Sequence, residues 1–219
     1  LTRPLQTVVS GENLFMKKVI LTGFEPFGGY KYNPTQQSAL DFNGKIFGDR
    51  EIIGVVLPCI YNAWGHLITL IRSEEPYAIL GTGLASSVQG MRIESTFHNV
   101  MGSKYADAYG YAPQNIPIMI GRASPYTVKA KSQANKLFKL LAENDIPAEF
   151  STNADGFICN ALGYHMSLAA RTSCYIERTL FVHVPWTTDY RQLVPISSEK
   201  NYLETELYYK GLELLIRNI

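Results

Sequence analysis

The stretch "KKVILTGFEPFGG", Lys17 to Gly29, decides how the rest of the chain is read. An apolar run of strand length stops abruptly, and two phenylalanines then bracket a proline before two glycines. Short apolar bursts bounded by Gly, Pro or polar residues are buried strands. The burst recurs at "EIIGVVLP" (51–58), "YAILGTG" (77–83), "AEFST" (148–152) and "TLFVHVP" (179–185). Between the bursts the apolar spacing changes to that of helices. Ile60, Trp64, Leu67, Ile68 and Ile71 form one stripe; Ala130, Ala134, Leu137, Phe138 and Leu141 form a second; Leu203, Leu207, Gly211, Leu214 and Leu215 form a third. Strands alternating with helices predict an α/β fold, a three-layer α/β/α sandwich around a mixed, largely parallel sheet. In such folds ligands sit beyond the carboxyl ends of the strands, so "FEPFGG" is predicted to stand at the mouth of a site. Residues 86–126, rich in Ser, Gly, Tyr and Ala, fit no regular period and are expected to form a long excursion over that site, with room for a hairpin.

The composition narrows the function. With 219 residues, 46% of them apolar, one domain can bury a full core. Lys and Arg number 20 against 19 Asp and Glu, so the chain has no basic field for nucleic acid or an anionic membrane. A small or neutral substrate suits this balance better. No apolar run approaches the ~18 residues of a membrane span. Cys59, Cys159 and Cys174 are too few and too scattered for a disulfide framework or a zinc site, which points to a reducing, cytoplasmic setting with no metal or other cofactor. Residues 1–15 lack a continuous apolar segment and are set aside as a disordered leader or a cloning remnant, leaving 16–219 as a single domain.

Three residues carry candidate chemistry. In "STNADGFICNALGYHMSLAA", Ser151 to Ala170, Cys159 falls where a strand gives way to a helix. There the positive end of the helix dipole is expected to lower the thiol pKa and favour the nucleophilic thiolate. His183, in "FVHVPW", sits near the end of an apolar strand just before a proline, well placed to leave the sheet, and reads equally as a hydrogen-bonded core histidine or as a general base. His66 and His165 lie inside helical patterns and read as structural, whereas His98 is open. For the carboxylate that would orient an imidazole, Glu94 has unusually apolar and neutral neighbours, with Asp155 and Glu25 as competitors that spacing alone does not eliminate.

Taken together, these blocks resemble the pyroglutamyl peptidase I family of cysteine peptidases. "KKVILTGFEPFGGYKYNP" is similar to its N-terminal signature, "IPAEFSTNADGFICN" to its nucleophile block, "LFVHVP" to its histidine block and "IESTFHN" to its glutamate block. The resemblance implies an exopeptidase that removes an N-terminal pyroglutamyl residue from peptides and proteins, with Cys159 as nucleophile, His183 as general base and acid, and Glu94 orienting the imidazole. It implies a lactam pocket walled by Phe24 and Phe157, with Phe27 nearby and Asn33 offering a donor and an acceptor. Lys104 is placed where it could help hold an oxyanion. A pyroglutamyl peptide is the expected partner, and a homo-oligomer, dimer or tetramer, is compatible with the resemblance. The rival reading is a lactam- or peptide-binding relative on the same scaffold that is catalytically weak or inactive, motivated by Asp155 and by the 82–92 segment.

Overall fold

The structure, a computed structural model, describes residues 16–122, 127–130, 133–193 and 201–219. The leader, 1–15, lies outside these described residues. The strands are β1 (Lys17–Phe24), β2 (Ile46–Phe47), β3 (Arg50–Leu57), β4 (Ala78–Leu84), β5 (Met91–Glu94), β6 (Thr96–His98), β7 (Thr127–Lys129), β8 (Ala148–Ser151), β9 (Arg178–Val184), β10 (Trp186–Thr187) and β11 (Tyr202–Leu203). The helices are α1 (Pro34–Phe42), α2 (Ile68–Glu74), α3 (Ala134–Glu143), α4 (Ile158–Thr172) and α5 (Thr205–Asn218).

Seven strands form one sheet in the order β2-β3-β1-β4-β9-β5-β8. The β1, β3, β4 and β9 pairings are parallel; β5 runs antiparallel to β9 and parallel to β8. Because central parallel strands are covered on both faces, their sequences are apolar at successive positions rather than alternately. In β1, Val19 and Leu21 join one core with Phe42 and the apolar faces of α3 and α5, while Ile20 and Phe24 join a second core with residues of α2 and α4. The sheet therefore separates α1, α3 and α5 from α2 and α4, which is the three-layer sandwich that the alternating pattern predicts.

All five predicted strands are present, with small shifts at their ends. The helices differ more. The first predicted stripe is divided into a short 3-10 turn, Ala63–His66, and α2, and the second helix begins only at Ala134, with Ala130 in extended chain before it. Leu203 of the third stripe belongs to β11 rather than to α5. Helix α1 and the sheet strand β5 are additions. Strand β5 falls inside the expected excursion and turns part of it into the sheet's antiparallel element, carrying Glu94 to the edge of β9. Helix α1 lies so close on the sheet that a Cβ on Gly23 would stand 1.8 Å from the carbonyl oxygen of Thr35. None of the helices among the described residues is long and apolar enough to cross a membrane.

Candidate active site

Side chains in a strand alternate between faces, and directly paired residues of neighbouring strands share a face. Arg92 pairs with His183 and Glu94 pairs with Phe181 across β5 and β9, so these four side chains stand on the face covered by α4. Glu94 is completely buried and His183 nearly so. The Glu94 carboxylate oxygen Oε1 lies 2.8 Å from His183 Nδ1 and 2.7 Å from Arg92 Nε, which donates to it. Burial works to raise the Glu94 pKa, but the His183 contact and the Arg92 charge outweigh it and hold the carboxyl below its ordinary range. Of the three candidate carboxylates, Glu94 is the one hydrogen-bonded to His183 among the described residues. Glu25 and Asp155 are both exposed, in separate loops.

Cys159 occupies the first turn of α4, whose N-cap, Phe157, supplies no side-chain cap. The first backbone N–H groups of this helix therefore have no side-chain oxygen on them. Gly83, on β4 beside His183, is where the Cys159 and His183 side chains come together. A Cβ there would fall 2.8 Å from Cys159 Sγ and 3.3 Å from His183 Cδ2. The bare backbone of Gly83 thus leaves room for sulfur and imidazole to approach each other. The expected lowering of the thiol pKa is reversed. Burial is the leading cause that pushes the Cys159 thiol above its ordinary range, with Cys59 and Glu94 adding to it and Arg92 opposing. A helix terminus contributes only about 0.3–1 kcal/mol in most settings, less than desolvation of a thiolate can cost.

Cys159 and His183 share a cleft of about 390 Å³ with Arg92, Lys104, Tyr105, Asp155 and Phe157. Of the four residues expected to hold a lactam, Phe157 alone lines this cleft. Phe27 reaches it at one remove, with its ring centroid 6.3 Å from that of Phe157. Phe24 is 3% exposed within the α4-side core. Asn33 is buried as the N-cap of α1, where Oδ1 accepts from the Thr35 N–H at 3.0 Å and from the Thr35 hydroxyl at 2.9 Å, and Nδ2 donates to the Glu25 carbonyl at 3.2 Å. The amide expected to meet a lactam is thus engaged in joining α1 to the "FEPFGG" loop. Asn33→Ala is expected to destabilise the fold by about 1–2 kcal/mol, the scale of a lost helix cap, and chemical denaturation of the two proteins measures it.

Two residues near the site give little signal in the sequence. Asn160 follows Cys159 and is fully buried; it accepts from the His98 N–H and donates to the carbonyls of His98 and Val100, pinning the excursion to α4. A polar residue on the core side of a helix is the available clue. Arg92 is the other. Asp155 has φ of 59°, a left-handed conformation, and its N–H donates to Asn153 Oδ1 in an Asx-type turn. Its exposed charge is screened by water, so Asp155→Asn should change kcat/KM by less than about twofold, in line with the small energies of exposed charges.

A family model described as pyroglutamyl peptidase matches residues 17–198. The pyrrolidone-carboxylate peptidase of Thermococcus litoralis is 33% identical over 175 residues, covering 80% of this chain and 79% of that protein. The protein of the same name from Thermococcus kodakarensis is 31% identical over 203 residues, 92% of this chain and 95% of its own. Among solved structures, the pyrrolidone carboxyl peptidase of Thermococcus litoralis superposes with a TM-score of 0.85 at 30% identity, covering 92% of each chain.

Proposed function

The chain belongs to the pyroglutamyl peptidase family of cysteine-type hydrolases, and from that premise we propose that it releases an N-terminal pyroglutamyl residue from peptides by a Cys159–His183–Glu94 mechanism. The observation that carries the reading is the 2.8 Å contact of buried Glu94 with His183 Nδ1, beside a glycine whose missing side chain leaves His183 and the Cys159 sulfur on one spot.

With Glu94 accepting a hydrogen bond from Nδ1–H, the proton stays on Nδ1 and the other ring nitrogen, Nε2, is left unprotonated and able to act as a base. Cys159 attacks the carbonyl that joins the lactam residue to the next one, and His183 takes the thiol proton. The tetrahedral intermediate collapses as His183 returns that proton to the departing amine. A thioester remains, and a water attacks it after giving its proton to His183. Free pyroglutamate leaves, and the sulfur recovers the proton. Burial raises the Cys159 thiol's pKa and so favours the neutral thiol at rest, with His183 as the acceptor of its proton. The uncapped N–H groups at the start of α4 hold the oxyanion, with Lys104 at the cleft to add positive charge.

The lactam is flat and uncharged, so it is recognised by apolar walls rather than by a counter-ion. Phe157 provides one wall and Phe27 stands beside it, while Phe24 and Asn33 support the loop that carries Phe27. The free thiols Cys59 and Cys174 suit a reducing compartment such as the cytoplasm. The direct test is release of a chromophore from a pyroglutamyl amide, with loss of the activity after treatment with a thiol reagent. Tight binding of the lactam without release would overturn the enzymatic reading in favour of a binding protein.

A further inference from the structure

Among the described residues, Arg92 is the one strongly basic side chain in contact with the proposed triad. It lies on β5 opposite His183, its side chain is 22% exposed and lines the cleft, and its Nε donates to the same oxygen of Glu94 that His183 Nδ1 meets. The other carboxylate oxygen, Oε2, is buried and makes no short hydrogen bond among the described residues; the Ser151 hydroxyl donates to the Asn153 carbonyl, yet still adds to the lowering of the Glu94 pKa. A carboxylate held through one oxygen by a single donor can still rotate, and a second fixed, charged donor opposes that rotation. We propose that Arg92 is a positioning residue that keeps Glu94 ionised and fixed on His183, and that its charge sets how readily the imidazole and thiol give up protons. The inference rests on the triad proposed above.

The other charged and titratable groups around this pair do not substitute for it. On β8 Glu149 is paired with Arg92 in register and its Oε1 accepts from the Gln89 N–H; Lys104 and Asp155 reach the cleft from exposed loops; Cys159 and Cys59 are thiols. Arg92 supplies the positive charge closest to Glu94, and Lys104 is exposed to screening by water. Removing the cation makes every nearby proton harder to lose. The acid limb of the kcat/KM profile and the midpoint of Cys159 alkylation against pH should therefore both move upward.

The experiment compares the parent with Arg92→Gln and Arg92→Lys. For Arg92→Gln the acid limb is expected to rise by about one pH unit, from the Coulomb energy of one partly screened charge. A one-unit rise of a limb near the ordinary imidazole value of about 6.5 lowers kcat/KM at pH 6 about eightfold and at pH 8 less than about twofold. Arg92→Lys should recover about half of the shift, since it restores the charge without the planar fork. Alkylation by iodoacetamide, followed by mass spectrometry of the Cys159 peptide, should show the same upward displacement. A purely structural role would scale the profile without moving its limb, and an unmoved limb together with an unmoved alkylation midpoint overturns the proposal. Alkylation needs no substrate, so failure of the parent to release pyroglutamate would overturn the proposed function, while the alkylation midpoint would still decide the role of Arg92.

Discussion

Cys159→Ala should lower turnover of a pyroglutamyl amide by at least about 10⁴-fold, because a methyl group cannot form the thioester and loss of a nucleophile removes the whole covalent route. Cys59→Ser and Cys174→Ser should retain most of the parent activity. The three thiols differ in their surroundings. Cys59 is 4% exposed, donates to the Glu25 carbonyl at 3.2 Å, and is pushed up to about 12 by burial. Cys174 is exposed in the turn after α4. Neither lines the cleft that holds His183, and neither lies in the first turn of a helix without a side-chain cap. The Cys159→Ala protein should keep the parent melting temperature, since the change removes one sulfur from a half-buried position. Equal losses in all three variants would overturn the assignment of the nucleophile. Loss in Cys59→Ser alone would move the chemistry to the β3 junction.

The parts of this site that are legible in the sequence are those tied to long, regular elements. Five apolar bursts mark five of the seven strands of the main sheet, and the end of one of them marks His183, because a polar ring in an apolar strand is best accommodated where the strand ends. Cys159 is legible from the change of period at residues 151–158. Helix α1 escapes the pattern although Asn33-Pro34 is an N-cap followed by a proline at the first helical position, because its apolar stripe is weak. Strand β5 is four residues long and alternates Met, Arg, Ile and Glu, a pattern too short to separate from loop. Its register against β9, which no local pattern contains, is what brings Arg92 and Glu94 beside His183. The direction of the thiol's pKa is not a local property either. The dipole argument concerns one helix, whereas desolvation comes from everything packed around the sulfur.

Gly81 and Gly83 divide stability from catalysis within one strand. Both are buried and, two residues apart on β4, both face α4. A Cβ on Gly81 would meet Phe181 Cδ2 at 2.5 Å and Met166 Sδ at 3.2 Å, groups locked inside the core. Gly81→Ala should therefore cost about 2 kcal/mol of stability, as overpacking does. Its folded fraction should keep kcat/KM near the parent value. A Cβ on Gly83 meets Cys159 Sγ at 2.8 Å, the end of a side chain that can rotate away, while Phe181 Cζ at 3.2 Å and His183 Cδ2 at 3.3 Å need give only a few tenths of an ångström. The fold yields cheaply there, but it yields by moving the nucleophile from the base. A displacement of ~1 Å in reacting groups costs about a hundredfold in rate. Gly83→Ala should accordingly lose about that much in kcat/KM, with stability within about 1 kcal/mol of the parent. Denaturant titration and active-site-normalised kinetics on the two variants measure both quantities. Parent-like kinetics in Gly83→Ala would mean that Cys159 and His183 do not need the space this glycine leaves between them, and the proposed proton transfer would lose its geometric basis.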